Sequence, residues 1–247
     1  MLAEKQFKDA LRHCASEAIA HLGLVQPHGG LVILRDDGIV CAASPGMSRI
    51  LGDKTKCLLQ RQVADLVDVE LLSGLEGLVA VNRQPMAALT WERYADGGQL
   101  FAISAYECAP YRILEFQPGA GTDRHDRTWL EKIGALSSRA DDCVDLVELC
   151  QVVAATIRDE TGFDRVKIYR FTPEYDGEVI AEAKDPDLES YLGLRFPEGD
   201  IPKQARELYF QHTIRAIVDT EAQPESILTV DELNPREIDL GPSALRS

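Results

Sequence analysis

The chain has 247 residues, 45% of them hydrophobic, which is enough for one large or two modest globular domains. Lys and Arg number 26 against 41 Asp and Glu, so the formal net charge is −15. Such an acidic surface repels phosphate backbones and anionic lipids, which disfavours nucleic acid and membranes as partners. No apolar run reaches the roughly 20 residues of a membrane span, and residues 1–20 lack a signal-peptide core. We therefore expect a cytoplasmic protein of two domains.

The cysteines and histidines argue against a disulfide framework, a metal site and catalysis. The six cysteines are Cys14, Cys41, Cys57, Cys108, Cys143 and Cys150. They contain no CxxC pair, and the five histidines show no metal-ligand spacing. The chain also has neither a Walker-type glycine loop nor a nucleophile elbow. Most of the cysteines fit small apolar core positions, but Cys14 lies in a polar N-terminal arm where burial does not explain it.

The N-terminal half predicts an antiparallel α+β domain that follows an arm of residues 1–24. Two apolar runs, 31–34 and 39–42, flank the turn 36–38, which is the pattern of a β-hairpin. The other predicted elements of this half are helical segments around 47–51 and 63–78 and strands within 87–116. A hairpin, short helices and further antiparallel strands, in that order, are typical of one sheet covered by helices.

A linker-like stretch at 117–122, rich in Gly, separates the halves and indicates a domain boundary. Apolar spacing then predicts a helix over 127–159, with a break expected near Ser137 and Ser138. The remaining predicted elements are strands at 166–171 and 178–183 around a turn at 174–177, an amphipathic helix at 203–211, and a strand at 214–218. The C-terminal half is therefore a second α+β domain.

Two separated motifs resemble those of bacterial phytochromes. The first is Asp200-Ile201-Pro202, preceded by Phe196-Pro197-Glu198-Gly199 and followed by Gln204-Ala205-Arg206. The second is Gln26-Pro27-His28-Gly29, and Cys14 lies 14 positions before His28. Bacterial phytochromes place the cysteine that bonds biliverdin at this spacing. The resemblance implies an α+β chain in which a PAS domain precedes a chromophore-binding GAF domain, each an antiparallel sheet flanked by helices.

The resemblance also implies a ligand and the residues that hold it. The ligand is biliverdin, a linear tetrapyrrole, attached through a thioether between Cys14 and a vinyl group of ring A. The implied chromophore-binding residues are Cys14, Tyr169, Phe196, Asp200, Ile201, Pro202, Tyr209, Arg215 and Arg246. Asp200 would accept hydrogen bonds from the ring nitrogens, the aromatic residues would surround ring D, and the two arginines would clamp the propionates. A turn aspartate, plain core aromatics and surface charges are the alternatives.

Domain bounds follow from the same resemblance: an arm at 1–24, a PAS domain at 25–118 and a GAF domain at 119–247. Val25 occupies the position that, in phytochromes, threads a loop of the GAF domain, here 218–245, in a figure-of-eight knot. Phytochromes continue beyond the position of Ser247 with a histidine-bearing helix and further strands. We therefore expect a GAF domain without its C-terminal strands, and a chain that is a fragment or a truncated gene product.

The leading functional hypothesis is a red/far-red photoreceptor module that signals through Z/E photoisomerisation and is not itself an enzyme. Its expected partners are the bilin, a second copy of the chain, bound through the helices before Gly162, and a downstream histidine kinase or other output domain. One alternative is a chromophore-free PAS-GAF interaction or dimerisation module. Another is a GAF sensor of a cyclic nucleotide, which would leave Cys14 and Asp200 without a role.

Overall fold

The computed structural model describes residues 17–52, 55–67, 88–93, 99–118, 126–211, 215–230 and 232–247. The chain divides into two compact units. The N/C unit combines Ser16–Ala120 with Gln204–Ser247, and the middle unit is contained in Gly121–Lys203. These units group residues by contact, whereas the PAS and GAF bounds rest on the resemblance and stay a prediction.

The helices and strands follow one another as expected for an α+β chain. They are β1 Leu24–Val25, β2 Gly30–Leu34, β3 Val40–Ala43, α1 Gly46–Leu51, β4 Ala88–Arg93, β5 Gln99–Cys108, β6 Tyr111–Pro118, α2 Asp126–Asp141, α3 Leu146–Thr161, β7 Arg165–Phe171, β8 Gly177–Lys184, β9 Arg195–Phe196, α4 Lys203–Gln211, β10 Glu225–Ser226 and β11 Leu228–Thr229. Short 3₁₀ turns lie at Thr55–Cys57, Val63–Asp65, Glu198–Asp200 and Pro235–Glu237.

An antiparallel sheet with the strand order β11-β3-β2-β6-β5-β4 forms the centre of the N/C unit. The predicted hairpin is confirmed as the pair β2 and β3. The predicted helix at 63–78 lies mostly outside the described residues, and its described start is the 3₁₀ turn Val63–Asp65.

The central strand β2 is buried on both faces. Because side chains alternate along a strand, Val32 and Leu34 point to one face, and Leu31 and Ile33 point to the other. The first pair packs with Met47, Leu51, Leu58 and Val63. The second pair packs with Ile227, Ile238, Leu240 and Leu245, which belong to residues 225–247, the C-terminal segment. Each fully buried side chain of this size contributes about 1.5–3 kcal/mol, so the C-terminal segment is an integral part of this core.

Residues 24–26 are hydrogen-bonded on two sides by the C-terminal segment. On one side β1 pairs antiparallel with β10. On the other side, the Gln26 amide donates to the Leu245 carbonyl at 2.7 Å, and the Ser247 amide donates to the Leu24 carbonyl at 3.2 Å. The threading expected of Val25 requires contacts of this kind, while the figure-of-eight knot itself stays a prediction.

A bidentate ion pair joins α1 to the β1–β10 pair. Arg49 donates from Nη1 and Nη2 to the two carboxylate oxygens of Glu225 at 2.7 and 3.0 Å. Its Nη2 also donates to the Pro27 carbonyl at 2.6 Å. Because a planar guanidinium matches a carboxylate in this geometry, Arg49 fixes β10 beside the residues that follow β1.

In the middle unit, α2 and α3 precede the antiparallel strands β7, β8 and β9. The break expected near Ser137 and Ser138 is wrong, since α2 continues through them and the helices are separated at 142–145. The Asp145 side chain accepts from the Glu148 amide at 2.9 Å, and the Glu148 carboxylate accepts from the Val144 amide at 2.8 Å. These reciprocal bonds resemble a capping box and start a new helix there.

The strand predicted at 214–218 is also wrong for its described residues, 215–218, which have no strand pairing. The Gln26 side chain takes the place of a neighbouring strand. Its Nε2 donates to the Ala216 carbonyl at 2.9 Å, and its Oε1 accepts from the Val218 amide at 3.3 Å. By contrast, the predicted helix at 203–211 is confirmed as α4. Within the described ranges, no helix is both long enough and apolar enough to cross a membrane.

A buried carboxyl group connects the C-terminal segment to the sheet. Glu115 on β6 is 1% exposed. Its Oε2 accepts from the Ser243 hydroxyl at 2.7 Å and the Tyr106 hydroxyl at 3.2 Å, and its Oε1 accepts from Gln117 at 2.5 Å. Burial raises the pKa of Glu115, and these hydrogen bonds offset only part of the rise. The folded state therefore binds the carboxyl proton more tightly than the unfolded chain does.

Replacing this carboxyl by an amide tests its effect on stability. A raised pKa gives a contribution that is fully present below the ordinary value of about 4.3 and is lost as the pH rises through the folded value. Since the amide of Glu115→Gln does not titrate, we expect the variant to gain stability relative to wild type as the pH rises above about 4.3. Thermal unfolding over this range, with Glu107→Gln as a control for the loss of one carboxyl from the same hairpin, measures the gain. A difference independent of pH would contradict it.

Candidate functional site

Four aromatic rings form a cluster in the middle unit. The Tyr169 centroid lies 5.3 Å from that of Phe171 and 6.1 Å from that of Phe196, and Tyr191 lies 6.4 Å from Phe196. Aromatic pairs at such separations and at tilted or edge-on angles attract one another. Two of the predicted site residues, Tyr169 and Phe196, are thus brought together, and the sequence analysis did not select Phe171 or Tyr191.

A glycine on β8 makes room for the Tyr169 ring. Gly177 pairs with Phe171 on one side and with Phe196 on the other. A Cβ atom at Gly177 would lie 1.6 Å from Cζ of Tyr169, so no side chain fits while the ring keeps its position. The ring therefore lies directly over the backbone of Gly177.

The Asp200 motif follows the strand that carries Phe196. Glu198–Asp200 forms one 3₁₀ turn, closed by the Asp200 amide donating to the Pro197 carbonyl at 3.0 Å. The Glu198 amide donates to Oδ1 of Asp176 at 3.1 Å, which fastens the turn to the β7–β8 hairpin. Asp200 is exposed, whereas Ile201 and Pro202 are half-buried.

A buried carboxylate holds the loop that leads to β9. Glu182 is 9% exposed and accepts from the Ser190 hydroxyl at 2.7 Å, the Tyr191 amide at 3.0 Å and Arg165 at 3.1 Å. Burial alone would raise the pKa of Glu182, but these bonds and the Arg165 charge together lower it. Arg165 also stacks on the Tyr191 ring, 3.9 Å from its centroid. The ionised Glu182 thus positions Tyr191 within the cluster.

The N/C unit places two arginines beside each other. Arg246 is 4% exposed, and its Nη1 donates to the Ile19 carbonyl at 3.3 Å. Its buried Nε has no hydrogen-bond partner in the described part of the chain. Arg215, which is exposed, donates from Nη2 to the Arg246 carbonyl at 3.0 Å. Tyr209, on α4, is 53% exposed.

Electrostatics favour an anion beside this pair of arginines. Burial, followed by the positive charge of Arg215, lowers the pKa of Arg246 to about 10, and Asp239 and Tyr209 counteract only part of this effect. Arg246 therefore stays protonated at neutral pH. A buried cation with an unsatisfied N–H is costly. A carboxylate would balance its charge and accept a hydrogen bond from the unused N–H.

The structure distributes the predicted site residues between the two units. Tyr169, Phe196, Asp200, Ile201 and Pro202 belong to the middle unit, and Tyr209, Arg215 and Arg246 belong to the N/C unit. Cys14 lies outside the described residues.

Comparisons with known proteins place the chain in a family. Residues 14–119 match the family PAS_2, described as a PAS fold. The chain is 35% identical to cyanobacterial phytochrome B of Nostoc sp. over 98% of its length, and 36% identical to a bacteriophytochrome of Pseudomonas aeruginosa over 96% of its length. The chain belongs to the phytochrome family. It spans about a third of the length of these relatives, 33% and 32% respectively.

Solved phytochrome structures have the same fold. The chromophore-binding domain of a Stigmatella aurantiaca phytochrome matches with a TM-score of 0.81 at 34% identity, over 95% of this chain and 78% of that one. The chromophore-binding domain of a bacteriophytochrome from R. palustris matches with a TM-score of 0.80 at 29% identity, over 95% and 77% of the two chains. The predicted fold class, a PAS domain followed by a GAF domain, is therefore confirmed.

The close approach of Tyr169 to Gly177 can be tested by adding one methyl group. In Gly177→Ala the Tyr169 ring must move, and we expect a loss of about 1–3 kcal/mol in the free energy of unfolding. Gly134→Ala in α2 is the matched control, since its Cβ meets nothing within 4 Å and alanine is favoured in helices by about 1 kcal/mol. Urea unfolding of both variants measures the effect. Equal stability of Gly177→Ala and wild type would contradict the packing.

Proposed function

We propose that this phytochrome chain is the light-sensing module of a red/far-red photoreceptor and that it binds biliverdin covalently. The observation that carries the proposal is the buried Arg246, with an unused Nε–H, beside Arg215. Biliverdin carries two propionates, which are the kind of anion that suits this pair. The solved relatives are chromophore-binding domains of phytochromes, which supports the same ligand class.

In the N/C unit, Arg246 and Arg215 would hold the propionates by charge-assisted hydrogen bonds. Such bonds are worth about 1.5–3 kcal/mol each. The Arg246 guanidinium is already ordered by its bond to Ile19, so it loses little freedom when a carboxylate binds. Tyr209 would add aromatic surface from α4.

In the middle unit, Tyr169 and Phe196 would surround ring D with aromatic surface. Asp200 would accept hydrogen bonds from the ring nitrogens through its backbone carbonyl, while its exposed carboxylate would face ring D. Ile201 and Pro202 would pack against the rings. When bound, the pigment supplies the absorption of red light and the Z/E isomerisation of the bridge between rings C and D.

Cys14 would anchor the pigment. Its sulfur would form a C–S bond with one carbon of the ring A vinyl group, the double bond would be consumed, and the other carbon would take up a proton. The product contains all atoms of the thiol and the vinyl group, so the attachment needs no oxidant. Positive charge near a thiol favours the reactive thiolate, and Arg12 and His13 precede Cys14 in the sequence.

The partners belong to the same proposal. Helices α2 and α3 expose apolar side chains, namely Ile133, Leu146, Val147 and Ile157. Such a surface suits a second copy of the chain. We propose that the chain senses light without catalysing a reaction, and that a histidine kinase or other output domain elsewhere in a longer protein transmits the signal. The cytoplasmic location stays a prediction.

Covalent binding can be tested with the purified chain and biliverdin. We expect a red absorbance band and a zinc-fluorescent adduct on a denaturing gel. Cys14→Ser should lose at least about 90% of the adduct, since it removes the only sulfur that the proposal uses. Cys57→Ser, which replaces an exposed free cysteine, is the matched control and should keep the full adduct.

Two outcomes would contradict the proposal. An adduct retained by Cys14→Ser would place the attachment elsewhere. A folded chain that gives no absorbance band with biliverdin would instead support the alternative of a chromophore-free PAS-GAF interaction module.

A further inference from the structure

Gln26 lies between the two chain segments that carry the arginines. It is 8% exposed, and it follows the strand β1. Its Nε2 donates to the Ala216 carbonyl at 2.9 Å and lies 3.4 Å from the carbonyl oxygens of Ala244 and Arg246. Its Oε1 accepts from the Val218 amide at 3.3 Å. One side chain thus joins the segment after Arg215 to the segment that contains Arg246.

Only an amide satisfies these partners. The Nε2 end faces three carbonyl oxygens and must donate, while the Oε1 end faces an N–H and must accept. A carboxylate of the same shape would bring negative charge against the three carbonyls, and a shorter amide would not span the two segments. The chemistry of the site therefore specifies glutamine at this position.

The backbone of Gln26 adds to the same connection. Its amide donates to the Leu245 carbonyl at 2.7 Å, next to Arg246. Arg215 in turn donates to the Arg246 carbonyl at 3.0 Å. The positive charge of Arg215 disfavours the charged form of Arg246, so the arrangement depends on backbone contacts that hold both segments in place.

We propose that Gln26 is a positioning residue that holds Arg215 and Arg246 at the spacing needed to bind the carboxylates of a bilin. This role deepens the proposed function and rests on it. Gln26 touches the backbone of the arginine-bearing segments, and its effect on the ligand is exerted through the two guanidinium groups.

The test compares biliverdin with biliverdin dimethyl ester, which lacks the two negative charges. Titrations use a Cys14→Ser background, so that binding is reversible. The chain with Gln26 intact should bind the free acid about tenfold or more tightly than the ester. Gln26→Glu and Gln26→Met should weaken binding of the acid by about tenfold and of the ester by less than about threefold. Gln62→Glu, an exposed glutamine in the same unit, adds the same charge and should change neither affinity.

A second measurement needs no pigment. Hydrogen exchange of the backbone amides at 215–218 and 244–247 should become about tenfold faster in Gln26→Met, because the bonds that join the segments are lost. Gln26→Met retains an unbranched side chain of similar length without the polar end, so it reports the same loss if Gln26→Glu does not fold.

The outcomes separate this inference from the function on which it rests. A chain with Gln26 intact that binds neither pigment contradicts the proposed function, and the inference falls with it. If the chain with Gln26 intact prefers the acid and the Gln26 variants keep the same preference, only the inference is contradicted. Equal weakening of acid and ester would show that Gln26 has only a general structural role, which also overturns it.

Discussion

The hydrogen bonding of residues 24–26 to two distant parts of the C-terminal segment is the constraint on which the N/C unit depends. β1 is paired with β10 on one side, and residues 24 and 26 bond to Ser247 and Leu245 on the other. A typical hydrogen bond adds about 1 kcal/mol to stability, but these bonds also bring together segments about 200 residues apart in sequence. The same contacts place Arg246 beside Arg215, so the core and the proposed anion site have a common origin.

Two buried carboxylates contribute to the units in opposite ways. Glu115 lies among hydroxyl and amide donors, and its pKa is raised because burial outweighs them. Glu182 faces Arg165 and two backbone amides, and its pKa is lowered because these partners outweigh burial. Glu115, with its raised pKa, fastens the C-terminal segment, and Glu182, with its lowered pKa, positions Tyr191. Local partners, and not burial alone, therefore decide the direction in which each pKa shifts.

The sequence predicted the local elements better than the way distant segments meet. The hairpin of β2 and β3 and the helix α4 were predictable because turn residues and apolar spacing act over a few residues. The run at 31–34 predicted a strand, but nothing in it identifies 227–245 as the segment that covers one of its faces. The strand predicted at 214–218 is wrong for its described residues, 215–218, because their backbone groups bond to a glutamine side chain. Asp145 and Glu148 are residues typical of a helix start, but the apolar spacing continues across them and predicted one long helix.

The motifs predicted which residues belong to the candidate site, but not how those residues pack. Tyr169 and Phe196 do come together, but the space for the tyrosine ring depends on Gly177, whose role appears only once the strands pair. The most direct test of a light-sensing function is to load the purified chain with biliverdin and record its absorbance after red and then far-red illumination. A light-sensing function predicts a difference spectrum that reverses over repeated cycles. A folded, biliverdin-loaded chain whose absorbance does not respond to light would contradict it.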